Sequence, residues 1–144
     1  MPLPSDTTTQ AWVRLVRAHQ TALADVEAAL KHAGYPALIW YDVLLELERA
    51  GDEGLRPYEL EQALMLRQYG VSRLVERMEK SGVLNREKSP EDGRGLRLTI
   101  STAGKDLRQR MWSVYGPAIE EAVGSKLETG QAHTLSELLG RLIG

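Results

Sequence analysis

The sequence contains no cysteine, which excludes disulfides, thiolate metal sites and sensing by cysteine oxidation. It has no run approaching the roughly 18 consecutive apolar residues of a membrane helix, so no membrane partner is expected. Met1 to Thr9 lacks the basic start and apolar stretch of an export signal, and a cytoplasmic protein is the expectation. Signatures of catalysis are equally scarce. Neither G-x-S-x-G, nor a Walker A loop, nor G-x-G-x-x-G occurs. His19, His32 and His133 lie on unrelated segments, with no pair at an i, i+4 ligand spacing. The reading is therefore of no enzyme, no cofactor and no metal. Internal repeats and low-complexity segments are absent as well.

Charge of one sign is also lacking: 18 Lys and Arg stand against 20 Asp and Glu, a formal net of −2. Taken whole, that balance argues mildly against nucleic acid. Its distribution is more informative. Between Arg67 and Arg97, eight basic residues face five acidic ones, so this window carries +3 and the rest of the chain −5. A basic window on an acidic body fits local phosphate contact, and equally an ordinary solvated surface.

What is present in 144 residues is a helical chain interrupted once. Thr9 to Lys31 reads as a helix with a heptad-like seam, Trp12, Val16, His19, Leu23, Val26 and Leu30, ended by Gly34-Tyr35-Pro36. About Ala37 to Arg49, a second helix is apolar nearly all round, hence central. A third, short helix starts at Pro57, with Glu59 in its first turn. A fourth, about Gln68 to Ser81, has one tight apolar face of Val71, Leu74, Val75 and Met78. The period then changes. Val83 to Glu87 and Gly95 to Ile100 read as strands, joined by Lys88 to Arg94 with Asp92-Gly93 as turn signal. Thr102 can cap a fifth helix toward Val123, which Gly116-Pro117 should kink or break. Thr129 can cap the last, whose seam is Ala132, Leu135, Leu139 and Leu142.

The expected fold is mainly α with a small β-hairpin wing. A winged helix-turn-helix occupies 35–101, and helical dimerisation regions occupy 1–34 and 102–144. The two terminal seams have no obvious partner inside so small a winged domain, and seams from two chains can cover each other in a homodimer. Packing of both ends onto their own chain is the alternative.

The fourth helix carries the functional signal. Opposite its apolar face stand Tyr69, Arg73 and Lys80, flanked by Ser72 and Arg77. Arg can pair with guanine edges or phosphates, while Ser72 and Gln68 supply smaller hydrogen bonds. With Glu76 and Glu79 nearby, an ordinary solvated face has the same composition. The hairpin adds weight. Arg94 stands two residues after Asp92 on a glycine-flanked tip, with Lys88 at its start. An extended arginine suits a narrow minor groove, and a nearby carboxylate can orient it. Double-stranded DNA is the expected partner.

In this order the motifs resemble the MarR family of prokaryotic regulators. Trp40 to Leu47 looks like the family's second-helix pattern. Val71 to Gly82 is similar to its recognition helix and glycine stop. Asp92-Gly93-Arg94 resembles the wing's Asp-x-Arg signature, and Leu98-Thr99 followed by Gly104 matches the segment after it. The resemblance is close over Trp40 to Gly104 and looser outside. It implies a pyramid-shaped dimer whose first, fifth and sixth helices interlock, and a regulator that is often a repressor released by a small ligand. There are departures: Arg67 stands where a capping residue is usual and can contact phosphate instead. Arg56 replaces the common Ser or Thr, Tyr69 replaces a small residue, and the Gly116-Pro117 break is not typical.

By the same resemblance, an effector pocket lies between dimer helices and winged domain. Trp12, His19, Trp40, Tyr41 and Trp112 are the aromatic candidates to line it, with Asp42 the one acid. Aromatics at such positions are more often plain core, and Asp42 is as readily a solvent-facing residue. A small aromatic or amphipathic effector is the expectation. The rival of another class is a winged-helix protein-interaction module that never touches DNA.

Overall fold

The structure is a computed structural model and describes residues 1–66, 70–88 and 95–144. Six helices are seen among these: α1 (Asp6–His32), α2 (Leu38–Ala50), α3 (Pro57–Ala63), α4 (Val71–Lys80), α5 (Thr102–Ala122) and α6 (Gln131–Leu142). Two strands, β1 (Leu84–Lys88) and β2 (Leu96–Ile100), form an antiparallel hairpin between α4 and α5. The mainly helical architecture with one β-hairpin is thus the expected one. The chain divides into two compact units, 34–113 and 1–33 with 114–144.

The unit 34–113 is built on one apolar core. Helix α2 contributes Val43, Leu44 and Leu47, α3 Leu60, and α4 Val71, Leu74, Val75 and Met78. The four α4 positions fall at i, i+3, i+4 and i+7, so one stripe of that helix is buried and the rest must face water. Val83, Leu84 and Leu98 close the core from the hairpin side. In the hairpin, Leu84 pairs with Ile100, Arg86 with Leu98 and Lys88 with Leu96. Leu55 extends this sheet: its N–H donates to Leu98 O at 2.9 Å, and Leu98 N–H returns a bond to Leu55 O at 2.8 Å. The wing is thereby fixed to the backbone just before α3.

The helices differ from the expectation at five points. Helix α4 begins at Val71 and not near Gln68, because Gly70 precedes it in the left-handed region (φ 75°), where a helix cannot continue. Ser101, not Thr102, caps α5: its Oγ accepts the Gly104 N–H at 3.0 Å and donates to Gly82 O at 2.6 Å. Pro117 lies inside α5 without breaking it. The carbonyl it leaves without an amide is that of Ser113, an exposed residue open to water. Gly130 occupies the N-cap of α6 where Thr129 was expected. Helix α1 is also longer than expected, starting from Ser5, whose Oγ accepts the Thr8 N–H.

In the second unit, Val26 and Leu30 of α1 are buried, whereas Trp12 is 64% exposed. Helix α6 buries nothing. Leu135, Leu138, Leu139 and Leu142 are all exposed along it. No described helix is long and apolar enough to cross a membrane.

Candidate nucleic-acid interface

With Val71, Leu74, Val75 and Met78 buried, α4 turns Ser72, Arg73, Arg77 and Lys80 to solvent. Arg73, Arg77 and Lys80 lie at i, i+4 and i+7, one stripe on the outward side. Among the described residues none of the three is held in an ion pair. Glu76 is exposed beside them. Glu79 is not available in the same way, because Arg86 Nε of β1 bonds its Oε1 at 3.0 Å. Among the described residues, the first turn of α4 contains no acid and Gly70 supplies no side-chain cap, so none of these offsets the positive end of the helix dipole. Such a helix presents cations, unmasked and in a row, to whatever lies in front of it.

The hairpin is stiffened by a second pair. Glu87 and Arg97 face each other in the register, with Arg97 Nη2 3.1 Å from Glu87 Oε2, a favourable cross-strand match. Lys88 is exposed at the last residue of β1. The candidates Arg67, Gln68, Tyr69, Asp92 and Arg94 lie outside the described residues. Of the predicted DNA contacts, the structure therefore brings together Ser72, Arg73, Arg77 and Lys80 on α4, with Lys88 on the adjoining hairpin.

Behind α4 stands α2. Asp42, expected either as the acid of an effector pocket or as a solvent-facing residue, is only 4% exposed. Its Oδ2 accepts the Leu66 N–H at 2.8 Å, across 24 residues of chain. Burial pushes its carboxyl pKa up, and the Leu66 and Met65 amides pull it down only in part. Its neighbour Tyr41 faces α5: the ring stacks on Trp112 with centroids 6.1 Å apart, and the Arg108 guanidinium lies 6.0 Å from its centroid. Arg108 Nη2 pairs with Glu48 Oε2 at 3.0 Å, and this bond holds its pKa above the ordinary arginine value. Of the effector-pocket candidates, Tyr41 and Trp112 touch, Trp40 is half-buried in the same unit, and Asp42 is committed to Leu66. Trp12 and His19 belong to the other unit and are exposed. Glu48, Arg108 and Arg86 were not among the sequence candidates. Their partners lie too far along the chain for local spacing to reveal them.

A helix-turn-helix carrying a cationic stripe, followed by a hairpin fixed beside it, is the arrangement that the family comparison meets. Residues 34–95 match the MarR family. The resemblance first met in the motifs is borne out over that segment. No curated protein matches the chain. Among solved structures, a MarR family transcriptional regulator from Streptomyces coelicolor in complex with DNA has a TM-score of 0.88 at 22% identity, covering 99% of this chain and 89% of that one. AbsC, a MarR family transcriptional regulator from the same organism, gives 0.83 at 21%, covering 99% and 96%. A mutant MarR from E. coli complexed with operator DNA gives 0.79 at 21%, covering 97% and 100%. These likenesses establish a MarR-type fold that runs through nearly the whole chain, terminal helices included.

Proposed function

We propose that the chain is a sequence-specific regulator of transcription that binds double-stranded DNA, a ligand-responsive repressor acting as a homodimer on a palindromic operator in the cytoplasm. The observation that carries the reading is the stripe of Arg73, Arg77 and Lys80 on the outward face of α4. Two MarR-fold proteins with closely similar backbones are recorded with DNA, and an α-helix of this kind fits the major groove. Arg73 and Arg77 serve base edges or phosphates, Ser72 a smaller hydrogen bond, and Lys80 and Lys88 phosphate. Arg67, Gln68, Tyr69, Asp92 and Arg94 complete the proposed contact set.

The homodimer is supported by α6, which carries four exposed leucines. An apolar row of that kind is costly to leave in water and suits a second copy. The proposed roles are thus a reader in 35–101 and dimerisation in 1–34 and 102–144. A small aromatic or amphipathic effector would meet Trp40, Tyr41 and Trp112, with release of DNA as the response. Selection from random duplexes, followed by binding titrations of the enriched site, tests the reading. Enrichment of a two-fold symmetric sequence is expected. A protein that enriches no sequence and shows no salt-dependent binding is instead a winged-helix interaction module.

A further inference from the structure

We propose that Asp42 is a positioning residue for DNA binding: from its buried place on α2 it holds the backbone between α3 and α4, and so sets the pose of the recognition helix. The inference rests on the DNA-binding reading and adds a residue that faces the interior, away from the proposed contact surface.

The connection needs such a hold. Helix α3 has only seven residues and stops at Ala63, too short to be stable by itself. Leu64 then turns extended (φ −63°, ψ 132°), and its amide is the last to bond the helix, to Leu60 O at 3.1 Å. The next two amides, of Met65 and Leu66, have no acceptor in α3. The Leu66 amide donates to Asp42 Oδ2 at 2.8 Å, and the Met65 amide acts on the same carboxylate in lowering its pKa. Five residues after Leu66, α4 begins, preceded by a glycine that offers no side-chain cap. Among the described residues of this connection, Leu64 packs in the core and Leu66 is tied to α2 by the Asp42 carboxylate, so this tie helps set the angle at which α4 leaves the domain.

The choice of an acid is itself informative. Asp42 is the one buried charged residue among the described residues, flanked on α2 by the buried Tyr41, Val43 and Leu44. An apolar side chain would fill that position without taking a charge out of water. Burial outweighs the two amides in setting the carboxyl pKa, so the charge is carried at some cost to the fold. What it supplies in return is a non-local anchor, the 2.8 Å bond from the Leu66 amide. The same helix is tied to α5 through Glu48–Arg108 and Tyr41–Trp112. Adjacent residues 41 and 42 therefore join α5 on one side and the reader's connection on the other.

The test is a set of anisotropy titrations on the selected operator at three salt concentrations. Wild type, Asp42→Ala, Asp42→Asn and the contact variant Arg73→Ala are compared, with thermal melts beside them. Removing a carboxylate adds +1 near DNA, so a purely electrostatic effect would tighten binding. The latch demands the opposite sign. Asp42→Ala should weaken binding on the order of tenfold, the scale of a charge-assisted bond. The salt slope should stay that of the wild type, because no phosphate contact is lost. Asp42→Asn, which keeps one acceptor oxygen, should fall between. Wild-type or tighter affinity for Asp42→Ala overturns the proposal. If Asp42→Ala fails to fold, the isosteric Asn variant and the wild-type Leu66 amide decide. Hydrogen exchange at Leu66 should be protected, and exchange at the rate of an open amide overturns the latch. Failure of the DNA reading looks different: no binding by wild type, or no effect of Arg73→Ala.

Discussion

Glu79, near the end of α4, is bonded by Arg86 of the first wing strand at 3.0 Å. The pair does two things at once. It ties α4 to the wing, and it neutralises an acid on the proposed DNA-binding helix. Both side chains are about a third exposed, so the pair adds little to stability, at most about 1 kcal/mol. Its value lies in charge. Arg86→Ala should leave the thermal midpoint nearly unchanged while weakening operator binding, because Glu79 is then uncompensated. The double variant Arg86→Ala, Glu79→Ala should recover much of the loss. Equal affinities for the single and double variants would show that Glu79 does not face phosphate.

Assembly can be tested through α6. Leu139 lies in the middle of its exposed apolar row. Leu139→Asp should shift sedimentation at micromolar concentration from about twice the chain mass toward the single chain. Operator binding should weaken with it, because two readers on one axis meet half-sites about one helical turn, roughly 34 Å, apart. A variant that stays dimeric, or a monomer that binds as tightly as the wild type, removes α6 from the interface.

Asp42 makes stability depend on pH in an unusual direction. Its carboxyl pKa lies above the ordinary carboxylate value in the folded chain. From about pH 4 upward, through the raised folded value, the folded state therefore binds more protons than the unfolded state. The contribution of Asp42 to stability is full below this window and is lost as pH rises through it. Against Asp42→Asn, which has no titrating group there, the wild type should gain stability as pH falls from 7 toward 4. Parallel melts across that range give the difference directly. A flat difference, or one of the opposite sign, contradicts the assignment.

Periodicity made the elements legible. The 71, 74, 75, 78 spacing located α4 and its outward face, and the change to alternation at Leu96, Leu98 and Ile100 located the wing. Element ends were less legible, since they turn on single caps. Gly70 in the left-handed region starts α4 three residues late, and the Ser101 hydroxyl is placed between Gly82 and Gly104 only once the hairpin has brought them together. Gly116-Pro117 leads one to expect a kink or a break, yet a proline costs one amide bond, and α5 continues through it beside an exposed Ser113. In the candidate site, the cations of α4 could be read locally because they share one helix face. Asp42, Glu48 and Arg108 could not. One acid in an apolar helix gives no sign of its partner when that partner is a backbone amide 24 residues away.

The central claim is that the α4 stripe reads DNA, and Arg73 tests it most directly. On the operator selected by the wild type, Arg73→Ala should cost roughly 1–3 kcal/mol and relax preference at one base position. Arg94→Ala, removing the proposed minor-groove contact, should weaken many sequences alike and lower the salt slope by about one. Titrations of wild type and both variants at three salt concentrations give all of these quantities. If neither substitution changes affinity beyond about twofold, far below the loss of even one such contact, α4 and the wing are not the DNA-reading surface.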